Sequence, residues 1–150
     1  MSNSNIPMFT QAVKTAGTVL SAASAWTPSN TVSTNLVTLL TAGSNGARVT
    51  SLVLSSTDSV TRDVFLVLDV GGAGTNFVIL GIVDVLTTSG TVANILAVDA
   101  LNSTVTVGMP IDNNGKRIIQ LGASDKLWIG VAASMTALKI ILAAAQYENY

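Results

Sequence analysis

The sequence contains no cysteine and no histidine among its 150 residues. Without cysteine there is neither a disulfide framework nor thiolate chemistry, and without histidine the commonest general base and metal ligand is missing. A serine or threonine nucleophile would then depend on lysine as its base, and no Ser-x-x-Lys motif occurs. We therefore expect a protein that is not an enzyme and that needs no cofactor, metal ion or small-molecule substrate.

Charged residues are scarce as well. They make up 10% of the chain, against about 25% in typical soluble proteins, whereas hydrophobic residues reach 49%. The seven lysines and arginines are scattered, and only Lys116 and Arg117 are adjacent, so the basic patch that nucleic acid requires is missing. So few charges leave much of the surface poorly solvated, and burial against a partner would relieve this.

The segment 127–145 is long enough to span a bilayer as a helix, and Lys139 is its one charged residue. However, Ser134, Met135 and Thr136 divide it into two short apolar runs, which are typical of strands. We expect two strands and a turn here, and no membrane partner.

Short segments rich in Val, Ile, Leu and Thr alternate with clusters of Gly, Asn, Asp and Ser. This pattern predicts an all-β fold, an antiparallel β-sandwich of jelly-roll or Greek-key-like type with about eight strands, over residues 31–150. Residues 1–30 are predicted to be an extended N-terminal arm, although alanines in 12–25 and 132–146 also permit helices. The predicted strands are 47–55, 62–70, 76–86, 117–121, 126–132 and 138–147, with 36–40 and 92–98 as further candidates.

Two glycine-containing segments are predicted to be turns. The residues 71–74, Gly-Gly-Ala-Gly, link two strong strand patterns, and a hairpin there needs positive φ. A dinucleotide-binding loop would need a third glycine and a following helix. The residues 112–115, Asp-Asn-Asn-Gly, lack the spacing and the distal glutamate of a calcium loop, so a turn is expected.

Two carboxylate pairs are conceivable for glycoside hydrolysis, Asp58 with Asp63 and Asp112 with Asp125. Neither pair is accompanied by a helper histidine, a metal cluster or an aromatic platform. We expect all four to be solvated loop charges.

Two predicted strands are apolar on both faces, although an antiparallel sandwich normally exposes one face of each sheet to water. The simplest explanation is that a neighbouring subunit covers the second face. The alternative is that small apolar side chains are tolerated at the surface. In 62–70, one face carries Val64, Leu66 and Leu68, and the other carries Phe65 and Val67. In 76–86, one face carries Val78, Leu80 and Ile82, and the other carries Phe77, Ile79 and Val83.

Trp128 projects to the face opposite its neighbours Leu127 and Ile129, where it would be either a subunit-contact anchor or a core residue. We predict that a homo-oligomer forms through an interface made of Phe65, Val67, Phe77, Ile79 and Trp128.

Motifs that resemble those of a known family extend over most of the chain. They are Pro7-Met8-Phe9-Thr10 followed by Lys14-Thr15, the run LLTAGSNGARV at 39–49, Gly74-Thr75-Asn76-Phe77, LGASDKL at 121–127 and the closing QYENY at 146–150. In this combination they resemble small virion proteins of tailed bacteriophages. The chain departs from that pattern at 138–145, where alanines replace a Val/Thr strand, and at 122–124, where Gly-Ala-Ser stands in place of Pro-Ala-Gly.

The resemblance implies a β-sandwich on a phage particle, as a head decoration or cement protein that forms trimers on the capsid exterior. The implied partner is the major capsid protein, and the implied location is the virion, assembled in the bacterial host cytoplasm. The low charge of the arm suits a segment that orders on binding, with Ile6, Met8 and Phe9 as apolar capsid anchors. The alternative is a tail, collar or fibre component that contacts a host receptor, including by binding a glycan.

Overall fold

The computed structural model describes residues 12–21, 23–28, 33–102 and 109–150. Within these ranges the chain forms nine strands and one turn of 3-10 helix, Val70–Gly72. The strands are β1 (Lys14–Ser21), β2 (Val37–Thr41), β3 (Ala47–Ser56), β4 (Arg62–Asp69), β5 (Phe77–Val85), β6 (Val98–Asp99), β7 (Ile119–Leu121), β8 (Lys126–Val131) and β9 (Ile140–Asn149).

The strands form two antiparallel sheets that pack face to face. The first sheet has the order β1-β9-β3, and both β6 and β7 pair with the far side of β3. The second sheet has the order β2-β8-β4-β5. The antiparallel β-sandwich predicted from the sequence is therefore confirmed, with nine described strands in place of about eight.

Alternation of side chains along the strands decides what enters the core. Leu52 and Leu54 of β3, Val64 and Leu66 of β4 and Ile129 of β8 are all fully buried between the sheets. Burial of one large aliphatic side chain contributes about 1.5–3 kcal/mol. This shared core, which both sheets line, stabilises the sandwich.

Of the predicted strand 92–98 only Val98 lies in a strand, the two-residue β6, because residues 87–94 form turns. The polar groups of these turns bind the end of β3. The amide of Ser56 donates to the carbonyl of Ser89 at 2.9 Å, and the hydroxyl of Thr91 donates to the carbonyl of Ser56 at 2.8 Å. Residues 87–94 therefore form hydrogen bonds to the end of β3, although the sequence predicted a strand beginning at residue 92.

The glycine hairpin between β4 and β5 is confirmed. Gly71, Gly72 and Gly74 have φ of 77°, 68° and 76°. Two carboxylates hold the turn, since the amide of Gly74 donates to Asp69 and the amide of Gly71 donates to Asp125, both at 2.8 Å. The 112–115 turn is confirmed as well.

The boundary predicted at residue 30 is wrong for 14–21. These residues form β1, which pairs with β9 along its whole length, and Leu20 is buried in the core. Neither alanine-rich segment is a helix, because pairing with β1 and β3 on both sides holds β9 in the sheet despite its alanines. Residues 1–11, which include Ile6, Met8 and Phe9, lie outside the described residues, so the arm stays a prediction there.

The faces of β5 also differ from the prediction. The register with β4 shifts between Leu66 and Val67, which leaves Leu80 as an extra residue, a β-bulge. As a result Ile82 lies opposite Phe65, and Val83 joins the core opposite Val64. A strict two-residue period, which the sequence analysis assumed, places both of these side chains on the wrong face.

Within the described ranges no helix is long and apolar enough to cross a membrane. The segment 127–145 instead contributes most of β8, a connecting turn and the first half of β9, as the sequence predicts.

The hairpin offers a matched pair of substitutions. A Cβ at Gly72 would overlap the carbonyl oxygen of Ser124, whereas a Cβ at Gly71 would meet nothing within 4 Å. Both positions have positive φ, so Gly71→Ala should cost about 1–2 kcal/mol from backbone conformation alone, and Gly72→Ala should cost clearly more. Urea unfolding measures both, and equal losses would contradict the close approach at Gly72.

Candidate interaction surface

The outer face of the β2-β8-β4-β5 sheet carries the five residues predicted to form a subunit interface. Phe65 and Val67 come from β4, Phe77 and Ile79 from β5, and Trp128 from β8. In the register of the strands, Val67 lies between Trp128 on one side and Ile79 on the other. The structure therefore brings these residues together on one face.

A segment of the same chain covers part of this face. Trp26, in residues 23–28 (the Trp26 segment), is 1% exposed. Its ring packs edge-on against Phe65, with ring centroids 5.3 Å apart, and against Phe77 at 6.4 Å. Phe77 in turn packs edge-on against Trp128. Edge-to-face pairs of this kind stabilise by about 0.5–1.5 kcal/mol beyond the area that they bury.

Hydrogen bonds fix the Trp26 segment to the end of β8 and to the residues that follow it. The amide of Trp26 donates to the carbonyl of Val131 at 2.8 Å, and the amide of Ala25 donates to the hydroxyl of Ser134 at 3.0 Å. Gly130 permits the close approach, because a Cβ there would lie 2.6 Å from Cδ2 of Leu36 and 3.4 Å from Cβ of Trp26.

The predicted interface is therefore wrong for two of its residues. Phe65 and Val67 are 6% and 0% exposed within the chain, since the Trp26 segment and Leu36 cover them, so they need no neighbouring subunit. Trp26 was not among the predicted site residues, and its one signal in the sequence is a large aromatic residue in a stretch otherwise dominated by Ala, Ser and Thr. Phe77 and Trp128 are half-buried and Ile79 is exposed, so an interface through these three remains a prediction.

Ile79 opens into a groove at the edge of the sandwich, which we call the β5 groove. Its volume is about 410 Å³, and it lies between β5 of one sheet and β7 of the other. The groove has a mixed lining, in which the polar Gln120 joins the apolar residues Ile79, Leu80, Met109, Pro110, Ile118 and Ile119.

The outer face of the other sheet is also apolar at its centre. Val19 and Leu142 are exposed there and pair directly with each other, and two residues further along the same face Ala144 pairs with Gly17 on one side and Val53 on the other. The described part of the chain thus presents apolar surface on two sides.

The carboxylates that the sequence analysis assigned to solvated loops divide into two kinds. Asp63 is exposed as expected, but Asp58 is fully buried and Asp125 nearly so. Asp125 accepts hydrogen bonds from the amides of Gly71 and Gly122. Among the described residues, no three or more acidic side chains are grouped so as to hold a metal ion.

Asp58 forms an ion pair with Arg62, with 2.8 Å between Oδ2 and Nε. Arg62 also donates to the carbonyl of Ser134 at 3.0 Å and to the hydroxyl of Thr136 at 3.3 Å. Burial alone would raise the pKa of Asp58, but the hydrogen bond and charge of Arg62, together with the amides of Val60 and Ser59, hold this pKa below its ordinary value. The pair therefore ties the start of β4 to the connection between β8 and β9.

Comparisons with known proteins show a distant likeness to solved structures. No family model and no curated protein matches the chain. Among solved structures, the chain is similar to a chain of the Cyanophage Pam1 capsid asymmetric unit, with a TM-score of 0.43 and 14% identity over 93% of this chain and 84% of that one. A likeness at this level does not assign a family or a function.

Trp26→Ala should destabilise the protein by about 3–5 kcal/mol, because it removes a buried aromatic side chain and uncovers Phe65. Trp26→Phe, which retains an aromatic ring, should lose less, and Trp128→Ala, at a half-buried position, should also lose less. Denaturant unfolding and binding of a hydrophobic dye measure the two effects. A loss under about 1 kcal/mol for Trp26→Ala would contradict the covering role of the segment.

Asp58→Asn should cost about 3 kcal/mol or more at neutral pH, because it leaves the largely buried guanidinium of Arg62 without its counter-charge. Since the folded-state pKa of Asp58 lies below the unfolded value of about 4, its stabilisation is complete above that value and is lost as the pH falls through the folded pKa. Unfolding free energies of wild type and variant should therefore converge in acid. Asp63→Asn, at the exposed neighbour, is the control and should change little.

Proposed function

We propose that the chain is a bacteriophage capsid decoration, or cement, protein that associates with copies of itself and bridges capsomers to stabilise the head. The observation that carries the proposal is a sandwich with apolar surface on two sides, around Ile79 and around Val19 and Leu142, in a chain with few charges. Exposed apolar patches of this kind mark interfaces. The proposed role is structural and not catalytic.

The positions of the sequence motifs also support the proposal. Three motifs that carry the resemblance to phage virion proteins, at 39–49, 121–127 and 146–150, meet at one end of the sandwich. The amide of Ala42 donates to the carbonyl of Asp125 at 2.8 Å, and the amide of Tyr150 donates to the carbonyl of Gly46 at 3.3 Å. A Cβ at Gly46 would lie 2.5 Å from the carbonyl oxygen of Leu121. The motifs therefore act together as one packing unit.

The proposed mechanism is multivalent binding on the capsid exterior of the virion. Each oligomer, expected to be a trimer, holds several weak contacts to the major capsid protein on one body. Once the first contact is made, the others bind at high effective concentration. Such a bridge between adjacent capsomers would resist the outward pressure of the packaged genome.

Copy number in purified virions tests the proposal. A decoration protein should approach the abundance of the major capsid protein, because it occupies sites that repeat over the whole head. A tail, collar or fibre component, which is the alternative role, should be present in far fewer copies. Quantitative gel densitometry of virions measures the ratio, and a low ratio would sink the decoration proposal.

The N-terminal arm is the proposed capsid foothold, through Ile6, Met8 and Phe9. Deletion of Met1–Thr10 should abolish binding to undecorated capsids without unfolding the body, because β1 begins only at Lys14. Co-sedimentation with capsids measures binding, and thermal unfolding of the truncated protein is the control. Wild-type occupancy by the truncated protein would show that the body carries the contact.

A further inference from the structure

The β5 groove combines an unpaired strand edge with an apolar floor. β5 pairs with β4 on one side, and no strand of the described residues pairs with its other side. Val78 and Ile79 are consecutive residues that face opposite sides of the sheet, yet they are 45% and 40% exposed. At Val78 and Ile79, β5 is therefore open on both faces, and its edge is unpaired among the described residues.

Natural proteins protect such edges with charges, prolines or bulges, because a free edge accepts another strand. In β5 the bulge at Leu80 and the charge of Asp84 lie in the middle and the second half of the strand. The first half, Phe77 to Ile79, carries neither. A free apolar edge beside a groove is the arrangement to which extended peptides add as a further strand.

The topology of the sandwich places this groove opposite the origin of the N-terminal arm. β1 and β2 are the terminal strands of the two sheets on one side, and they pack against each other. β5 and β7 lie on the other side, where the groove separates them. The arm thus leaves the body at one edge of the sandwich, and the groove opens at the opposite edge.

We infer that the β5 groove binds residues 5–11 of a second copy of this chain, which add as a strand to β5. An arm at one edge and its acceptor at the other form a head-to-tail contact, and repetition of such a contact closes a ring when the rotation permits. The inference rests on the proposed self-association and names its surface.

The sequence of the arm suits this position. In an extended strand Ile6 and Met8 share one face, and Phe9 lies on the other. Pro7 has no N–H and is tolerated in an added strand where its nitrogen points away from the ladder, so that the amides of Ile6 and Met8 face β5. The side chains of Ile6 and Met8 then enter the groove, against Ile79 and Leu80, so that of the three proposed capsid anchors Phe9 alone keeps that role.

A peptide-binding experiment tests the groove directly. A fluorescent peptide of residues 1–12 should bind saturably to protein from which Met1–Thr10 has been deleted. Ile79→Asp in that protein should weaken binding about tenfold or more, since a charge would enter an apolar contact. Ile79→Val should bind normally, and so should Leu138→Asp, which places the same charge at a position 94% exposed and outside the groove. No binding, or equal binding by Ile79→Asp, would overturn the inference.

A mixing experiment tests whether the arm comes from a second copy. By light scattering, the arm-deleted protein and the full chain with Ile79→Asp should each be monomeric, because each lacks one half of the contact. Their mixture should form a one-to-one dimer, since the groove of the first accepts the arm of the second. Two results would overturn the assignment to a second copy. In one, the full-length wild-type chain stays monomeric although the peptide binds. In the other, the arm-deleted protein forms an oligomer.

Point substitutions in the arm separate this contact from the capsid foothold. Ile6→Asp should dissolve the oligomer in solution, whereas Phe9→Ala should keep it, and the reverse pattern would overturn the inference. Virion copy number is read independently. If the copy number is high but the peptide and mixing tests fail, the groove contact is overturned and the decoration proposal stands. If the copy number is low but these tests succeed, the decoration proposal is overturned and the groove contact stands.

Discussion

The β2-β8-β4-β5 sheet is apolar on both faces, and each face must be covered. One face joins the shared core through Val64 and Leu66, and the other face is covered by Trp26 and Leu36 of the same chain. This double cover buries four consecutive residues of β4, 64–67, and it explains the place of Gly130, where a side chain would strike Leu36. The cover ends short of Ile79, so the β5 edge keeps exposed apolar surface.

Several of the few charged side chains form hydrogen bonds and ion pairs that stabilise the fold, and these side chains contribute little to solvation of the surface. Asp58 and Arg62 form a mostly buried pair, Asp69 and Asp125 hold the glycine hairpin, and Lys126 donates to the carbonyl of Gly72. Arg48 and Glu148 pair across β3 and β9. The surface is therefore poorer in free charge than the composition suggests, and this strengthens the physical case for burial against partners.

Local patterns predicted most of the strands well, because period-two alternation and glycine turns are encoded by neighbouring residues. They failed where long-range contacts decide the outcome. The alanines of β9 leave helix and strand open until β1 and β3 pair with it. The bulge at Leu80 arises from pairing with β4 and reverses the faces of Ile82 and Val83. The five residues of the predicted interface do share one face of the sheet, but the sequence pattern did not indicate the segment that covers part of it.

The residues alone are enough to predict an all-β chain with few charges, a glycine hairpin after Asp69 and a strand that is apolar on both sides. Tertiary contacts were needed to show that Trp26 covers Phe65, that Asp58 is buried with Arg62, and that a groove opens beside Ile79. Distance along the chain explains the difference. Each of these features brings together residues that are far apart in the sequence, such as Trp26 with Val131 or Ile79 with Ile118. The packing of the sheets brings these residues into contact, and a local sequence pattern carries no information about that packing.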